Sequence, residues 1–261
     1  MDINENELTI KNAIEKNELP RYIYKYYTNE KNRLQDTLTN QTVWFSRPME
    51  FNDPFDCRLI VDTTNTEKEI LDYVNYLCNQ RPVSDVDRLK AQLNFLNSEY
   101  RYEIANDSIQ DAVSKSGVSC FSRINDSILM WSHYSNSHKG YCIKFDLLED
   151  QDFFMVPVIV DYKDVYPYFN YIRDRKYIFK YIFGNKFCDW SYEKEIRIVR
   201  KEIGNVKLNP ESIVEISFGI DCENSNIDLI KDICKSKNYK HIRFQKAKRK
   251  ERDFQIEFYN I

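Results

Sequence analysis

The sequence predicts an α+β protein: a mixed, mainly antiparallel sheet with a block of helices inserted into it. Three observations lead there. Short apolar and aromatic runs bounded by turn residues recur from residue 21 to residue 259. Helical apolar stripes concentrate between residues 66 and 116. Strands and helices alternate irregularly and no internal repeat is visible, which fits the α+β class. The chain is read as one domain over 1–261, with 66–116 as a helical insertion or lid.

Composition bounds the function classes. The chain has 261 residues, 42% hydrophobic and 30% charged, with 38 Lys and Arg against 41 Asp and Glu. Its 19 tyrosines and 16 phenylalanines argue against extended disorder, because disordered chains are poor in aromatics. A chain of this length buries roughly three quarters of its unfolded surface, enough for one large core or two modest ones. A net charge of −3 offers no whole-protein basic face for coating nucleic acid. The five glycines, Gly117, Gly140, Gly184, Gly204 and Gly219, stand at least 15 residues apart. A G-x-G-x-x-G turn and a phosphate-cradling P-loop both need clustered glycines, so both are excluded and any nucleotide must be held by side chains. No apolar run approaches ~18 residues, so no membrane-spanning helix is expected. The polar, acidic first segment does not read as a signal peptide. The seven cysteines are odd in number and widely spaced, which reads as buried free thiols in a reducing cytosol.

Taken in order, residues 6–16 form either a short polar helix or a loose arm. Arg21 to Tyr27 is aromatic-rich and reads as a strand. Asn29 to Leu38 is a helix with Leu34 and Leu38 on one face. Thr42 to Ser46 is a short strand. Arg47 to Asp56 carries two prolines and an Asn-Asp-Pro triplet, which give an ordered loop because X-Pro disfavours helix and Asn and Asp fix turns. Thr66 to Glu69 is a capping box before the stripe Ile70, Leu71, Val74, Leu77 and Cys78. Helices follow over 84–97 and 99–116. Gly117 to Ser122 is a buried strand, and Asp126 caps a helix carrying Ile128, Met130, Trp131 and Tyr134. Strands come at 140–145 and 154–160, the second limited by Pro157 to an edge or bulge. Residues 169–183 read as a helix with aromatics nearly all round. Strands at 194–200, 213–218, 239–244 and 253–259 and a helix near 225–236 complete the chain.

Four segments carry chemistry. In Trp190 to Val199, a strand would send Glu193, Glu195 and Arg197 to one face, with the two carboxylate-bearing Cα atoms about 6.5 Å apart. Two carboxylates beside one guanidinium can stabilise a developing cation or orient sugar hydroxyls; the plain alternative is a solvated face with cross-strand ion pairs. The second segment runs from Ser119 through Ser122 and Arg123 to Trp131, His133, Tyr134 and His138. It has the rings and donors to hold a planar ligand, or it is an amphipathic helix with a satisfied histidine. His133 and His138 are five apart, the wrong spacing for a helical metal pair, and no metal is expected. Third, Asn52 and Asp53 either present polar groups to a ligand or scaffold a turn. Fourth, Lys246 to Arg252 is a basic hairpin tip, able to touch phosphate or simply solvated.

In this order, Tyr24-Lys25-Tyr26, Trp44-Phe45-Ser46, Asn52-Asp53-Pro54-Phe55, Cys120-Phe121-Ser122, Met130-Trp131-Ser132-His133-Tyr134, Lys186 and Tyr192-Glu193-Lys194-Glu195-Ile196-Arg197 resemble a bacterial family catalogued as domain of unknown function 2971. The resemblance spans about residues 21–220. A second likeness concerns mechanism. An aromatic-polar first strand, a strand ending in Ser122 and a later strand bearing Glu-x-Glu are similar in order to the motifs of ADP-ribosyltransferases, which bind NAD in a sheet cleft without a glycine-rich loop. Here Tyr-Lys-Tyr replaces the usual Arg or His of the first motif.

That likeness implies NAD as substrate and no metal. Glu195 would stabilise the ribosyl cation and Glu193 would orient or deprotonate the acceptor. Tyr24, Lys25, Tyr26, Ser122, Arg123, Trp131, His133 and Tyr134 would hold the dinucleotide, and Asn52, Asp53 and Arg197 the substrate. The expectation is a cytoplasmic ADP-ribosyltransferase acting on RNA, DNA or protein, as a toxin or antiphage effector. The alternative is a non-catalytic nucleotide- or protein-binding sensor. A metal-dependent nuclease using Asp53, Asp189, Glu193 and Glu195 ranks behind both, since these acids lack a ligand spacing. Glu195→Gln is expected to change stability little unless Arg197 pairs with it in a buried site.

Overall fold

The computed structural model describes residues 10–29 and 33–261. The chain forms two compact units, the first from Met1–Arg47, Ser116–Val160 and Cys188–Ile261, the second from Pro48–Lys115 and Asp161–Phe187.

The first unit is built on an eight-stranded sheet. In chain order its strands are β1 (Tyr22–Tyr27), β4 (Gly117–Ser122), β5 (Tyr141–Asp146), β6 (Pro157–Ile159), β10 (Glu195–Arg200), β12 (Ile213–Phe218), β13 (Arg243–Arg249) and β14 (Ile256–Asn260). In space they run β14-β13-β12-β5-β1-β4-β10-β6. Every neighbouring pair is antiparallel except β12 with β13, which are parallel and joined through helix α9 (Asn224–Ser236). That crossover is what makes the sheet mixed. The predicted class, α+β on a large mixed and mainly antiparallel sheet, is the class observed. β6 lies at the end of the sheet, where Pro157 takes no needed donor from a central ladder.

Alternation along the strands separates two faces. Ile23 and Tyr27 of β1, Phe121 of β4, Ile143 and Phe145 of β5, Ile196 and Ile198 of β10 and Ile216 and Phe218 of β12 build one large core. Helix α2 (Arg33–Asn40) adds Leu34 and Leu38 to it, and α9 adds Ile227, Ile230 and Cys234. The other face carries Tyr24, Tyr26, Ser122, Cys142, Lys144, Glu195 and Arg197, with a small cluster of Trp131, Cys142, Ala247 and Ile256 under helix α6 (Ile128–Tyr134). Helix α6 and its C-cap Ser135 are followed by three consecutive left-handed residues, Asn136, Ser137 and His138. Gly140 follows, where a Cβ would fall 2.1 Å from the Tyr27 carbonyl oxygen, so the turn can approach β1 only because this position has no side chain. A separate ladder pairs β2 (Thr42–Phe45) with β11 (Gly204–Lys207).

The second unit holds helices α3 (Glu67–Cys78), α4 (Asp85–Leu96) and α5 (Ser98–Ser114) with two parallel ladders, β3 (Ile60–Asp62) with β8 (Tyr168–Asn170) and β7 (Asp161–Lys163) with β9 (Asn185–Phe187). Its core gathers Ile70, Tyr73, Val74, Cys78 and Phe95. The Thr66 capping box forms as read: Thr66 accepts from Glu69 N and Glu69 accepts from Thr66 N. The block at 66–116, read from sequence as an insertion or lid, shares this unit, up to Lys115, with residues 161–187.

Several boundaries differ from the sequence reading, each for a local reason. Residues 10–15 are helical (α1), and the rest of the 6–16 segment before them lies outside the described residues, as do residues 30–32 of the expected Asn29 to Leu38 helix. The stretch 169–183 is not one helix. Asn170 ends β8 and caps the short helix α7 (Tyr171–Asp174), and a 3₁₀ turn separates that from α8 (Ile178–Phe183). Ser127, not Asp126, caps α6, its hydroxyl accepting from Met130 N at 3.3 Å. The strand expected from 154 begins only at Pro157, because Val156 is left-handed. The strand expected at 239–244 starts at Arg243, so Lys246 to Arg249 lie within β13 and the tip is shorter than read.

Candidate functional site

The register of three central strands sets the site. Tyr24 of β1 pairs with Ser122 of β4, and Ser122 pairs with Glu195 of β10. Paired residues share a face, so these three side chains form one row on the face away from the large core. Cys120 and Arg197 form the adjacent pair on the same face.

Glu195 and Arg197 are joined by two hydrogen bonds, Nε to Oε1 at 2.8 Å and Nη2 to Oε2 at 3.2 Å. Both are buried, as is Glu193. Burial, and then the negative charge of Glu195, push the Cys120 thiol well up, so it stays protonated beside that carboxylate. A solvated outer face is therefore not what these acids form.

Glu193 does not lie in the same straight strand as Glu195. It ends a 3₁₀ segment (Cys188–Glu193), and Lys194 is left-handed with φ 46°. The reversal is pinned from β4: Ser122 Oγ donates to the Glu193 carbonyl at 2.6 Å, and Arg123 donates to the Lys194 carbonyl through its backbone N at 3.0 Å and its Nε at 3.3 Å. The Glu193 carboxylate is aimed at α6 instead, where the Tyr134 hydroxyl donates to it at 2.5 Å. Burial first, and then the Glu193 charge, push the Tyr134 phenol strongly up, so it remains a donor.

The remaining sequence-derived residues divide. Tyr24 is half-buried, and burial lifts its phenol to about 12. Tyr26 is turned to a bracing role, its hydroxyl donating to the Ile124 carbonyl at 3.1 Å and its ring meeting Trp131 edge-on. Trp131 is fully buried and donates to the Asn125 carbonyl at 2.6 Å, so it supports the site from beneath. His133 is exposed, with Nδ1 3.1 Å from the Tyr192 hydroxyl. Lys25 faces the opposite side from Tyr24. Its ammonium donates to Ser119 Oγ and to the Cys120 carbonyl, both at 2.9 Å, and lies 4.8 Å from the Phe121 ring centroid. Burial lowers it to about 8. Asn52 and Asp53 belong to the second unit, where Asn52 is exposed and Asp53 Oδ1 accepts from Phe55 N at 2.9 Å, the turn-fixing role.

Sequence reading missed Cys120 and Lys144 as members of this face, and Tyr192 of the 3₁₀ segment as the partner of His133. Alternation puts Cys120 on the face of Ser122 and Lys144 on the face of Cys142, but only the strand order shows that β5 lies beside β1 and so joins the two. Among the described residues, no group of three or more His, Cys, Asp or Glu is placed to hold a metal ion, and no helix is long and apolar enough to cross a membrane.

No curated protein and no solved structure matches the chain. The family model described as "Protein of unknown function (DUF2971)" matches residues 130–198, from Met130 in α6 to Ile198 in β10, and over that stretch the chain carries the pattern of this family.

Proposed function

We propose that this chain is an ADP-ribosyltransferase-like enzyme that uses NAD as substrate and transfers ADP-ribose to a macromolecular acceptor. The observation that carries the reading is the row Tyr24–Ser122–Glu195 on three adjacent strands, which joins the three motifs whose order suggested this chemistry. The bond between ribose C1′ and the nicotinamide nitrogen breaks, and nicotinamide leaves with the electron pair. The acceptor's lone pair then forms the new bond to C1′, and its proton passes to Glu193. Glu195, fixed by Arg197 in a water-poor setting, is suited to face the oxocarbenium-like centre, where a preorganised charge is worth about 10²–10³ in rate. Ser122 positions Glu193 by holding its backbone.

A second reading, a non-catalytic binding module, is favoured by one feature: both carboxylates are already engaged, Glu195 by Arg197 and Glu193 by Tyr134. Incubation with NAD labelled in its adenylate moiety, in the presence of cell RNA, DNA and protein fractions, separates the two. Label transferred to one fraction supports the enzyme; NAD bound and returned intact supports the module.

A further inference from the structure

The row that ends at Glu195 continues in the other direction. From Tyr24 it passes to Lys144 on β5, then to Glu215 on β12 and Arg243 on β13. Lys144 is half-buried, its ammonium 4.4 Å from the Tyr22 ring centroid and 5.9 Å from that of Tyr24. The neighbouring acids are committed elsewhere. Glu215 accepts from Gln245 at 3.0 Å and pairs with Arg243 at 3.5 Å, while Asp146 pairs with Arg21 at 2.8 Å. Among the described residues no carboxylate lies within ion-pair distance of Lys144, whose ammonium instead faces the two aromatic rings.

A half-buried ammonium seated on two tyrosines has exchanged part of its hydration for ring faces and keeps donors available. An incoming anion would complete the pairing that the local acids do not give. With strands about 4.8 Å apart, the three steps from β5 to β10 cover about 14 Å, room for a ligand that carries an anionic group at one end and a sugar at the other. We propose that Lys144, between Tyr22 and Tyr24, is a phosphate-binding site for a nucleotide laid along the row towards Ser122 and Glu195. The placement of the sugar end rests on the ADP-ribosyltransferase reading; the phosphate end does not.

Calorimetric titration of the full chain with ADP, adenosine and inorganic pyrophosphate tests this. The wild type should bind ADP, and adenosine far more weakly. A charge-assisted hydrogen bond to phosphate corresponds to a loss of about 10- to 100-fold in ADP affinity in Lys144→Gln. Lys144→Arg should retain most of it, and adenosine binding should not change. Pyrophosphate binding with the same dependence on Lys144 identifies the phosphate itself as the recognised group; pyrophosphate binding that ignores Lys144 overturns the site. Lys144→Met, which keeps the stem, serves if the Gln variant melts early. Equal affinity for ADP and adenosine, no ADP binding by wild type, or undiminished ADP binding by folded Lys144 variants each overturns the proposal. If ADP binds through Lys144 but NAD is never cleaved, the enzymatic reading falls and the phosphate site stands. Cleavage of NAD with ADP binding indifferent to Lys144 has the opposite meaning.

Discussion

Arg197 grips Glu195 with two hydrogen bonds two residues apart on one strand, and the pair is buried, with side-chain exposures of 0% and 4%. Little loss of stability on neutralising Glu195 was expected unless Arg197 paired with it in a buried site, and that buried pairing is the arrangement observed. Removing one member of a buried pair strands the other charge, at a cost of about 3–5 kcal/mol. Glu195→Ala should therefore lower the urea unfolding free energy by that amount, and Glu195→Gln by less because it keeps shape and one acceptor. Glu195→Ala combined with Arg197→Met should recover part of the loss. Additive losses in the double variant would show that the two side chains do not act as a pair.

Tyr134 and Glu193 give a second stability test. A hydrogen bond to a charged acceptor contributes about 1.5–3 kcal/mol, so Tyr134→Phe should cost that much in urea unfolding. A loss below a few tenths of a kcal/mol would mean that the bond is replaced by water.

Ser122→Ala removes a hydroxyl that donates to the Glu193 carbonyl and accepts from Ile124 N at 3.2 Å. It should cost about 1–2 kcal/mol, and it should lower kcat more than it raises KM for NAD, since its effect passes through the position of Glu193. A change confined to KM would contradict the positioning role.

Lys25 predicts a pH dependence. Burial holds it near 8 in the folded chain, below the ordinary lysine value of 10.5. Below about pH 8 the folded state must keep a buried ammonium, so the group opposes folding. Between about 8 and 10.5 the unfolded chain holds the proton and the folded chain does not, so stability from this group rises with pH, by about 3 kcal/mol over the window. Other side chains titrate there too, so the quantity to measure is the unfolding free energy of wild type minus that of Lys25→Met. That difference should climb from pH 8 to 10.5; a flat or falling difference would show that Lys25 is not held in a depressed state.

Much of the sheet was legible because alternation marks a face. Ser122 and Glu195 each stood at the polar phase of an apolar strand, and the Thr66–Glu69 box fixed the start of α3. What alternation cannot give is which strand lies beside which, so the row through Lys144 and the two-unit division stayed hidden. Glu193 was misread for another reason. The Glu-x-Glu spacing looks like a strand, whereas Lys194 takes a left-handed conformation that a lysine seldom adopts, held by Ser122 and Arg123 from a strand 71 residues away in sequence. Lys25 was grouped with Tyr24 by proximity in sequence, and the period of two sends it to the opposite face.

The central claim, that the Tyr24–Ser122–Glu195 row serves cleavage of the nicotinamide–ribose bond, is tested most directly by nicotinamide release from NAD. The wild-type chain, given cell extract as acceptor, should release nicotinamide in proportion to enzyme and time. Glu195→Gln, confirmed folded by a cooperative melt and by retained ADP affinity, should release about 10²–10³-fold less. Release by wild type at the level of an enzyme-free control, or undiminished release by the folded Glu195→Gln chain, would contradict the claim.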